Sequence, residues 1–224
     1  MNKSYYEPIE LGETLPIKNP HAFSVSMPTI KSVIDYEESR GESLKKIKTA
    51  YPRIVFHPYI TKVLTYVKKE LAIKAKYCFL LPNRAVAENV AELSSTEPEL
   101  LDFRGYTIAT FPINKGKAIQ GYYAYMKHTG FMVYSREAGD LLRTLGEDLP
   151  IFKEDVELVE PENKILSVLE EAYGSDNIII TNCGMSAIYA GFESINRCDG
   201  IFIQYGWAYS DTIHILKKCG TEVK

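Results

Sequence analysis

Apolar positions change their period several times along the chain, and each change marks an element. Residues 1–28 carry Pro8, Pro16, Pro20 and Pro28 and read as irregular, because proline breaks helices and ladders alike. Residues 29–49 space their charges in a near-helical way and predict one or two short helices, ended at Tyr51-Pro52-Arg53. From Pro58 to about Leu71, the residues Ile60, Val63, Leu64 and Val67 return on one face, as in an amphipathic helix. Tyr77-Cys78-Phe79-Leu80-Leu81 is a continuous apolar run stopped by Pro82-Asn83, which predicts a buried strand. Ala85 to Leu93 then reads as helix, Tyr106 to Phe111 as strand and Ala118 to Lys127 as helix. The alternation resumes downstream. Asn163 to Tyr173 is a helix expected to turn Ile165, Leu166, Leu169 and Tyr173 inward, and Asn177 to Thr181 is a β-branched strand. Gly184 to Asn196 is a helix with Ile188, Tyr189, Phe192 and Ile195 as its stripe, followed by a strand at Gly200 to Gln204 and a helix at Ser210 to Lys218.

Strands alternating with helices predict an α/β fold. Strands that are apolar without alternation predict a parallel sheet covered on both faces. So few parallel strands do not close a doubly wound layer. The chain stops at Lys224, where Thr221-Glu222-Val223 would open another strand, so the expectation is the front part of a larger fold.

Composition narrows the classes. With 224 residues, 46% apolar and 25% charged, the chain has the balance of a globular protein of one ordinary domain or two small ones. A net charge of −3 gives no electrostatic footprint for nucleic acid. No uncharged apolar run is long enough for a membrane span, and the N-terminus lacks the apolar core of a secretory signal. Cys78, Cys183, Cys198 and Cys219 are scattered, and His214 has no Cys-x-x-Cys to join, so a reduced, cytoplasmic protein without a metal site is expected. Charge is uneven: residues 1–136 are net +6, residues 137–176 net −9, and residues 177–224 neutral. The acidic stretch with Pro150 and Pro161 reads as a solvated connector, although a merely solvated acidic face explains the charge equally well. The expected division is therefore an extension over 1–146, a linker over 147–162 and a second domain over 163–224.

The most informative segment runs from Ile178 through Asn182-Cys183-Gly184 into a helix. A helix entrance offers backbone N–H groups and the positive end of the dipole, which suit a phosphate. The turn has neither Gly-x-Gly-x-x-Gly nor Gly-Lys-Ser/Thr, so on physics alone an ordinary strand-to-helix turn remains open. Thr181-Asn182-Cys183-Gly184-Met185-Ser186-Ala187-Ile188, however, resembles the Ser/Thr-Gly-Met-x-Ala-Ile segment of the cystathionine γ-synthase family, the pyridoxal-phosphate enzymes of cysteine and methionine metabolism. Tyr209-Ser210-Asp211-Thr212 is similar to the family's later Tyr-x-x-Thr/Ser, and Tyr134-Ser135-Arg136 has the form of its Tyr-x-Arg. Pro20-His21-Ala22-Phe23, Tyr36-Glu37-Glu38, Tyr51-Pro52-Arg53, His57-Pro58 and His128-Thr129-Gly130 follow in an order that resembles the fungal-type members. Asp35 stands where that group has Gly, and Cys183 where it has Ser or Thr.

The resemblance implies an N-terminal α/β extension followed by the start of a type I pyridoxal-phosphate transferase large domain. It implies pyridoxal 5′-phosphate as cofactor, with Gly184 and Met185 holding the phosphate and Tyr209 stacked on the ring. Tyr134 and Arg136 would reach the phosphate of a neighbouring subunit, unless Arg136 is simply a surface residue beside a strand. The implied reaction is γ-replacement on an O-acylhomoserine by cysteine, with a γ-lyase, a homoserine sulfhydrylase, or a non-catalytic or split-enzyme subunit as alternatives. The implied partners are those amino-acid substrates and either further copies of the chain or a complementing second chain. The family's Schiff-base lysine has no match, since Lys217 and Lys218 read as cations at a helix C-terminus. His21, Arg53 and His57 read as capping or hydrogen-bonding residues, and Cys183 as a small turn residue.

Overall fold

The computed structural model describes residues 9–15, 19–22, 24–38, 40–41, 43–47, 56–74, 77–112, 114–152, 160–196 and 202–219. The chain forms two compact units. One comprises Met1–Tyr123 and Met132–Phe152, the other Ala124–Phe131 and Lys153–Lys224.

In the first unit, β1 (Thr14–Leu15) and β2 (Ser24–Val25) pair antiparallel, and helices α1 (Ile30–Glu37), α2 (Ser43–Lys46) and α3 (Pro58–Glu70) follow. Then come β3 (Tyr77–Leu81), α4 (Arg84–Ser94), β4 (Glu99–Phe103), β5 (Tyr106–Phe111), the first part of α5 (Gly116–Thr129), and α6 (Ser135–Thr144). Polar residues start these helices where the sequence places them. Thr29 accepts from the Ser32 amide at 3.1 Å, and Ser32 Oγ accepts from the Thr29 amide at the same distance, forming a reciprocal box. Asn83, which ends β3 with Pro82, caps α4 by accepting from the Val86 amide at 2.9 Å.

The sheet has the order β3-β5-β4 and is antiparallel throughout, with Leu80 opposite Ile108 and Leu101 opposite Ile108 from the other side. One face packs Cys78, Leu80, Phe103 and Ile108 against Ile60, Val63 and Val67 of α3 and Ala138, Leu141 and Leu142 of α6. On the other face Phe79 and Phe111 lie 5.5 Å and 5.2 Å from the Tyr122 ring of α5. The Tyr122 hydroxyl donates to the Ala87 carbonyl of α4 at 3.1 Å, so its buried polar end is satisfied.

Several expectations change here. The runs Tyr77–Leu81 and Tyr106–Phe111 are strands as expected, but their sheet is antiparallel. Continuous apolarity reports that both faces are covered, and helices cover both here. Residues 1–28, expected to be irregular, contain the paired β1 and β2, and the apolar period leaves two further elements, β4 and α6, unmarked. β4 is joined to β5 through Arg104 and Gly105, whose positive φ values of 49° and 87° are those of a tight two-residue hairpin. Helix α6 begins at Ser135, so Arg136 lies in a first helical turn rather than beside a strand. The start of the expected solvated linker is anchored: Glu147 accepts from Lys62 Nζ at 2.5 Å and from the Tyr66 hydroxyl, both on α3. Residues 153–159 of that linker lie outside the described residues.

The second unit holds the last part of α5 and helices α7 (Pro161–Tyr173), α8 (Gly184–Asn196) and α9 (Ser210–Cys219). Its core includes Met126, Met185, Tyr189, Phe202, Ile215 and Leu216. The face expected to turn inward on α7 does not: Ile165 and Tyr173 are exposed, and Leu166 and Leu169 only half-buried. Residues 177–181 are not in a strand, and of the expected strand at 200–204 the described part is an isolated bridge at Phe202. Ile179 and Trp207 are 88% and 99% exposed.

His57 illustrates how the first unit is held. It is buried, its Nδ1 accepts from the Tyr59 amide at 3.1 Å to start α3, and its Nε2 donates to the Pro20 carbonyl at 2.8 Å. Burial pushes its pKa below the usual 6.5, partly offset by the bond to Pro20. The unfolded chain therefore takes up this proton first, so the contribution is whole above about pH 6.5 and is lost as pH falls below it. A proton on Nδ1 also removes the cap's acceptor. His57→Ala is expected to cost about 1–2 kcal/mol and to flatten the acid limb. Urea unfolding followed by amide exchange in β3 and β5 checks both.

Candidate cofactor cradle

Helix α8 opens at Gly184, and the Ala187 amide closes its first turn by donating to the Cys183 carbonyl at 3.2 Å. The amides of Gly184, Met185 and Ser186 precede that bond, so they form the donor end of the helix. Their side chains keep this end clear. Met185 is buried in the second unit, and the buried Ser186 hydroxyl donates to the Thr129 carbonyl at 2.9 Å. Gly184 is exposed, and a Cβ built on it meets no described residue within 4 Å. The entrance is therefore open. The Thr181 hydroxyl donates to the Cys183 carbonyl at 2.8 Å and shapes the turn that leads into it.

The turn is pressed against the end of α5. Gly130 has φ +71°, and a Cβ there would fall on the Cys183 sulfur and within 3.2 Å of Ser186 Oγ. Cys183 Sγ lies 3.4 Å from Ser186 Oγ. Phe131 meets Tyr189 edge-on at 5.2 Å and completes this packing.

Tyr209 precedes α9, its carbonyl accepting from the Ile213 amide at 3.2 Å, and its side chain is 57% exposed. Helices α8 and α9 pack on each other. Gly184, Met185 and Tyr209 thus belong to one unit. Tyr134 and Arg136 belong to the other, where the Tyr134 amide donates to Glu137 Oε2 at 2.9 Å at the start of α6. Arg136 is exposed in the first turn of α6, where guanidinium and helix dipole attract an anion together.

Three polar residues that lie apart in the sequence are brought together by the fold. His128 Nδ1 lies 2.9 Å from Asp211 Oδ1, and the His214 ring stacks on that of His128 with centroids 4.4 Å apart. Burial holds the His128 pKa below its usual value, against the opposing pull of Asp211; the charges of His214 and Lys127 push the same way as burial. The spacing Asp211-x-x-His214, one face of a helix, is the signal that was available.

Other features are quieter. A cavity of about 410 Å³ is lined by residues such as Glu92, Thr96, Phe111 and Lys115, and another of about 620 Å³ by Ile30, Asp35 and Arg40 among others; neither lining contains an expected site residue. Among the described residues no group of three His, Cys, Asp or Glu side chains is placed to hold a metal ion. No described helix is long and apolar enough to cross a membrane. Cys78 is buried and Cys183 half-buried, and neither is disulfide-bonded.

Gly130→Ala is expected to destabilise the second unit by about 2 kcal/mol or more, since it adds both left-handed strain and an overlap with Cys183. Cys183→Ala in the same chain should relieve the overlap and leave the strain, recovering part of the loss in a thermal melt.

No family model matches the chain, and no solved structure matches it. Curated relatives do. The chain is 30% identical to an L-2-amino-4-chloropent-4-enoate dechlorinase/desaturase of Streptantibioticus cattleyicolor over 210 residues, 88% of this chain and 41% of that protein. It is 39% identical to a putative cystathionine γ-synthase of Saccharomyces cerevisiae over 37% of this chain and 13% of that protein. It is 23% identical to the cystathionine γ-synthase-like protein ankD of Aspergillus thermomutatus over 97% of this chain and 47% of that protein. The chain thus spans less than half the length of these relatives.

Proposed function

We propose that this chain belongs to the cystathionine γ-synthase-like enzymes, is of their fungal type, and supplies their cofactor-phosphate cradle. The single observation behind this reading is the open helix entrance at Gly184, held by Ser186 and Gly130. The resembled family uses pyridoxal 5′-phosphate, and the residues present suit its phosphate: a bare glycine, free surrounding space and an inward-turned Met185.

When bound, that cofactor supplies an electron sink for carbanions formed on an amino acid. The Gly184 and Met185 amides would bind its phosphate by hydrogen bonds at the positive end of α8. Tyr209 would cover one face of its ring, flat against flat. Tyr134 and Arg136 would clamp the phosphate of a neighbouring subunit, which makes the assembly an oligomer. The lysine that joins the cofactor would come from outside the 224 residues, in a continuing or a complementing chain. The exposed Ile179, Ile203, Tyr205 and Trp207 are surface that such a partner would bury. The setting is a reduced cytoplasm.

The reaction proposed is displacement at the γ-carbon of an α-amino acid, with cysteine replacing the acyl group of an O-acylhomoserine. Elimination at that carbon is the second reading, favoured by one observation: the bacterial relative's name places chlorine on the γ-carbon of its substrate. Supplying an O-acylhomoserine with and without cysteine separates the two, as cystathionine or as a keto acid.

The cradle itself is tested by affinity for pyridoxal 5′-phosphate against pyridoxal, which lacks the phosphate. Gly184→Val, whose side chain meets open space, is expected to leave stability within about 1 kcal/mol. It should weaken the phosphorylated form about tenfold, or about 1.4 kcal/mol, and pyridoxal hardly at all. Equal affinity for both forms in the unaltered protein would defeat the reading. Borohydride reduction should label a single lysine only when the remainder of the enzyme is present.

Arg136→Ala should weaken cofactor retention severalfold in the assembled enzyme and leave the isolated chain's affinity unchanged. Retention is read by dialysis and absorbance, and equal retention removes the clamp.

A further inference from the structure

His128, Asp211 and His214 form a polar cluster within the second unit that the cradle does not use. His128 lies in the last turn of α5 and Asp211 in the first turn of α9. The Nδ1–Oδ1 distance is 2.9 Å, with the two side chains only 16% and 18% exposed. The His214 ring lies over the His128 ring, 15° from parallel, and Tyr125 meets His128 edge-on at 5.9 Å. Asp211 and His214 are three residues apart and so share one face of α9. One grips the edge of the His128 ring and the other covers its flat side. Two contacts on one helix face, of different kinds, fix the rotation of α9 about its own axis.

That rotation has a consequence at the start of the helix. The Tyr209 carbonyl closes the first turn of α9 with the Ile213 amide, so Tyr209 and Asp211 stand on the same turn. Turning α9 by one residue's worth, about 100°, would carry Tyr209 to a different side of the unit.

We infer that His128 is a positioning residue that sets the direction of Tyr209 by gripping α9 through Asp211 and His214. The inference rests on the reading of Tyr209 as the residue that covers the cofactor ring. A purely stabilising role for His128 would affect folding alone. A positioning role moves the ring's surroundings while the fold stands, and any side chain that restores the donor restores the ring's surroundings. Asparagine does so, since its Nδ2–H occupies the place of the histidine Nδ1–H.

The test uses the full chain loaded with pyridoxal 5′-phosphate, reading the circular dichroism induced in the bound ring, together with amide exchange in α7 and α9. Tyr209→Leu should reduce the induced signal, and His128→Ala should reduce it at least threefold. The double variant should fall no further than Tyr209→Leu, since both substitutions remove one interaction. His128→Asn should restore more than half of the signal. Exchange at Ile213 and His214 should quicken about tenfold in His128→Ala, with α7 unchanged. Should His128→Ala fail to fold, Asp211→Leu, which keeps the bulk and removes the acceptor, carries the same comparison. An undiminished ring signal in His128→Ala or Asp211→Leu overturns the inference, as does strict additivity with Tyr209→Leu. An undiminished signal in Tyr209→Leu itself, beside faster α9 exchange in His128→Ala, overturns the reading of Tyr209 and supports the grip.

Discussion

Three consecutive residues at the end of α5 organise the second unit. His128 meets Asp211 and His214 of α9, the Thr129 carbonyl accepts from Ser186 of α8, and Gly130 lets the Cys183 turn approach to contact. Each contact acts on a different element, and none tolerates much change. A buried serine hydroxyl that lost the Thr129 carbonyl would be left unsatisfied, at a cost of about 1–3 kcal/mol. A side chain at Gly130 would push the turn away. The open helix entrance at Gly184 follows from these constraints, because Ser186 is turned inward and Met185 is buried, which leaves Gly184 as the exposed one of the three.

The same arrangement explains why any anion would be held there by the backbone. A serine in the first turn of a helix is itself a good phosphate donor, but this one already donates to Thr129. What remains for a ligand is the row of amides. Such a site is insensitive to most side-chain chemistry and sensitive to bulk, and it explains why glycine stands at the entrance with space around it. Cys183, where the resembled group carries Ser or Thr, sits against Gly130 and Ser186 and acts as a packing residue.

The helices were legible in the sequence where apolar residues recur at helical spacing, as in α3, α4 and α8, and the short strands where β-rich runs meet Pro-Asn or Gly. Strand direction was not, because a run such as Cys78-Phe79-Leu80-Leu81 carries information about burial on two faces and none about polarity. β4 escaped notice because Glu99 and Asp102 break its apolar pattern, although Arg104-Gly105 ahead of Tyr106 was a usable turn signal. α6 is hard to read for a different reason: its buried stripe, Ala138, Leu141 and Leu142, is short and set among Arg136, Glu137, Asp140 and Arg143. At the site, Gly184 and Met185 were readable from local sequence. His128 with Asp211 was not, since the pair is separated by 83 residues and only the fold brings it together.

The segments 177–181 and 202–209 show the limit of propensity as an argument. Ile178, Ile179 and Ile180 have the branching that suits a pleated surface, yet β propensity is largely a measure of packing against cross-strand and same-face neighbours. With no ladder beside it among the described residues, the run is unpaired, and Ile179 lies in solvent while Ile178 is half-buried. Helix α8, by contrast, satisfies its own backbone and needs only one covered face, which α9 and the end of α5 provide. A strand–turn–helix unit can therefore keep its turn and its helix in working geometry while its strand waits for a neighbour. The amides proposed to bind an anion lie in the turn and the first turn of α8, so that proposal does not depend on strand pairing at 177–181.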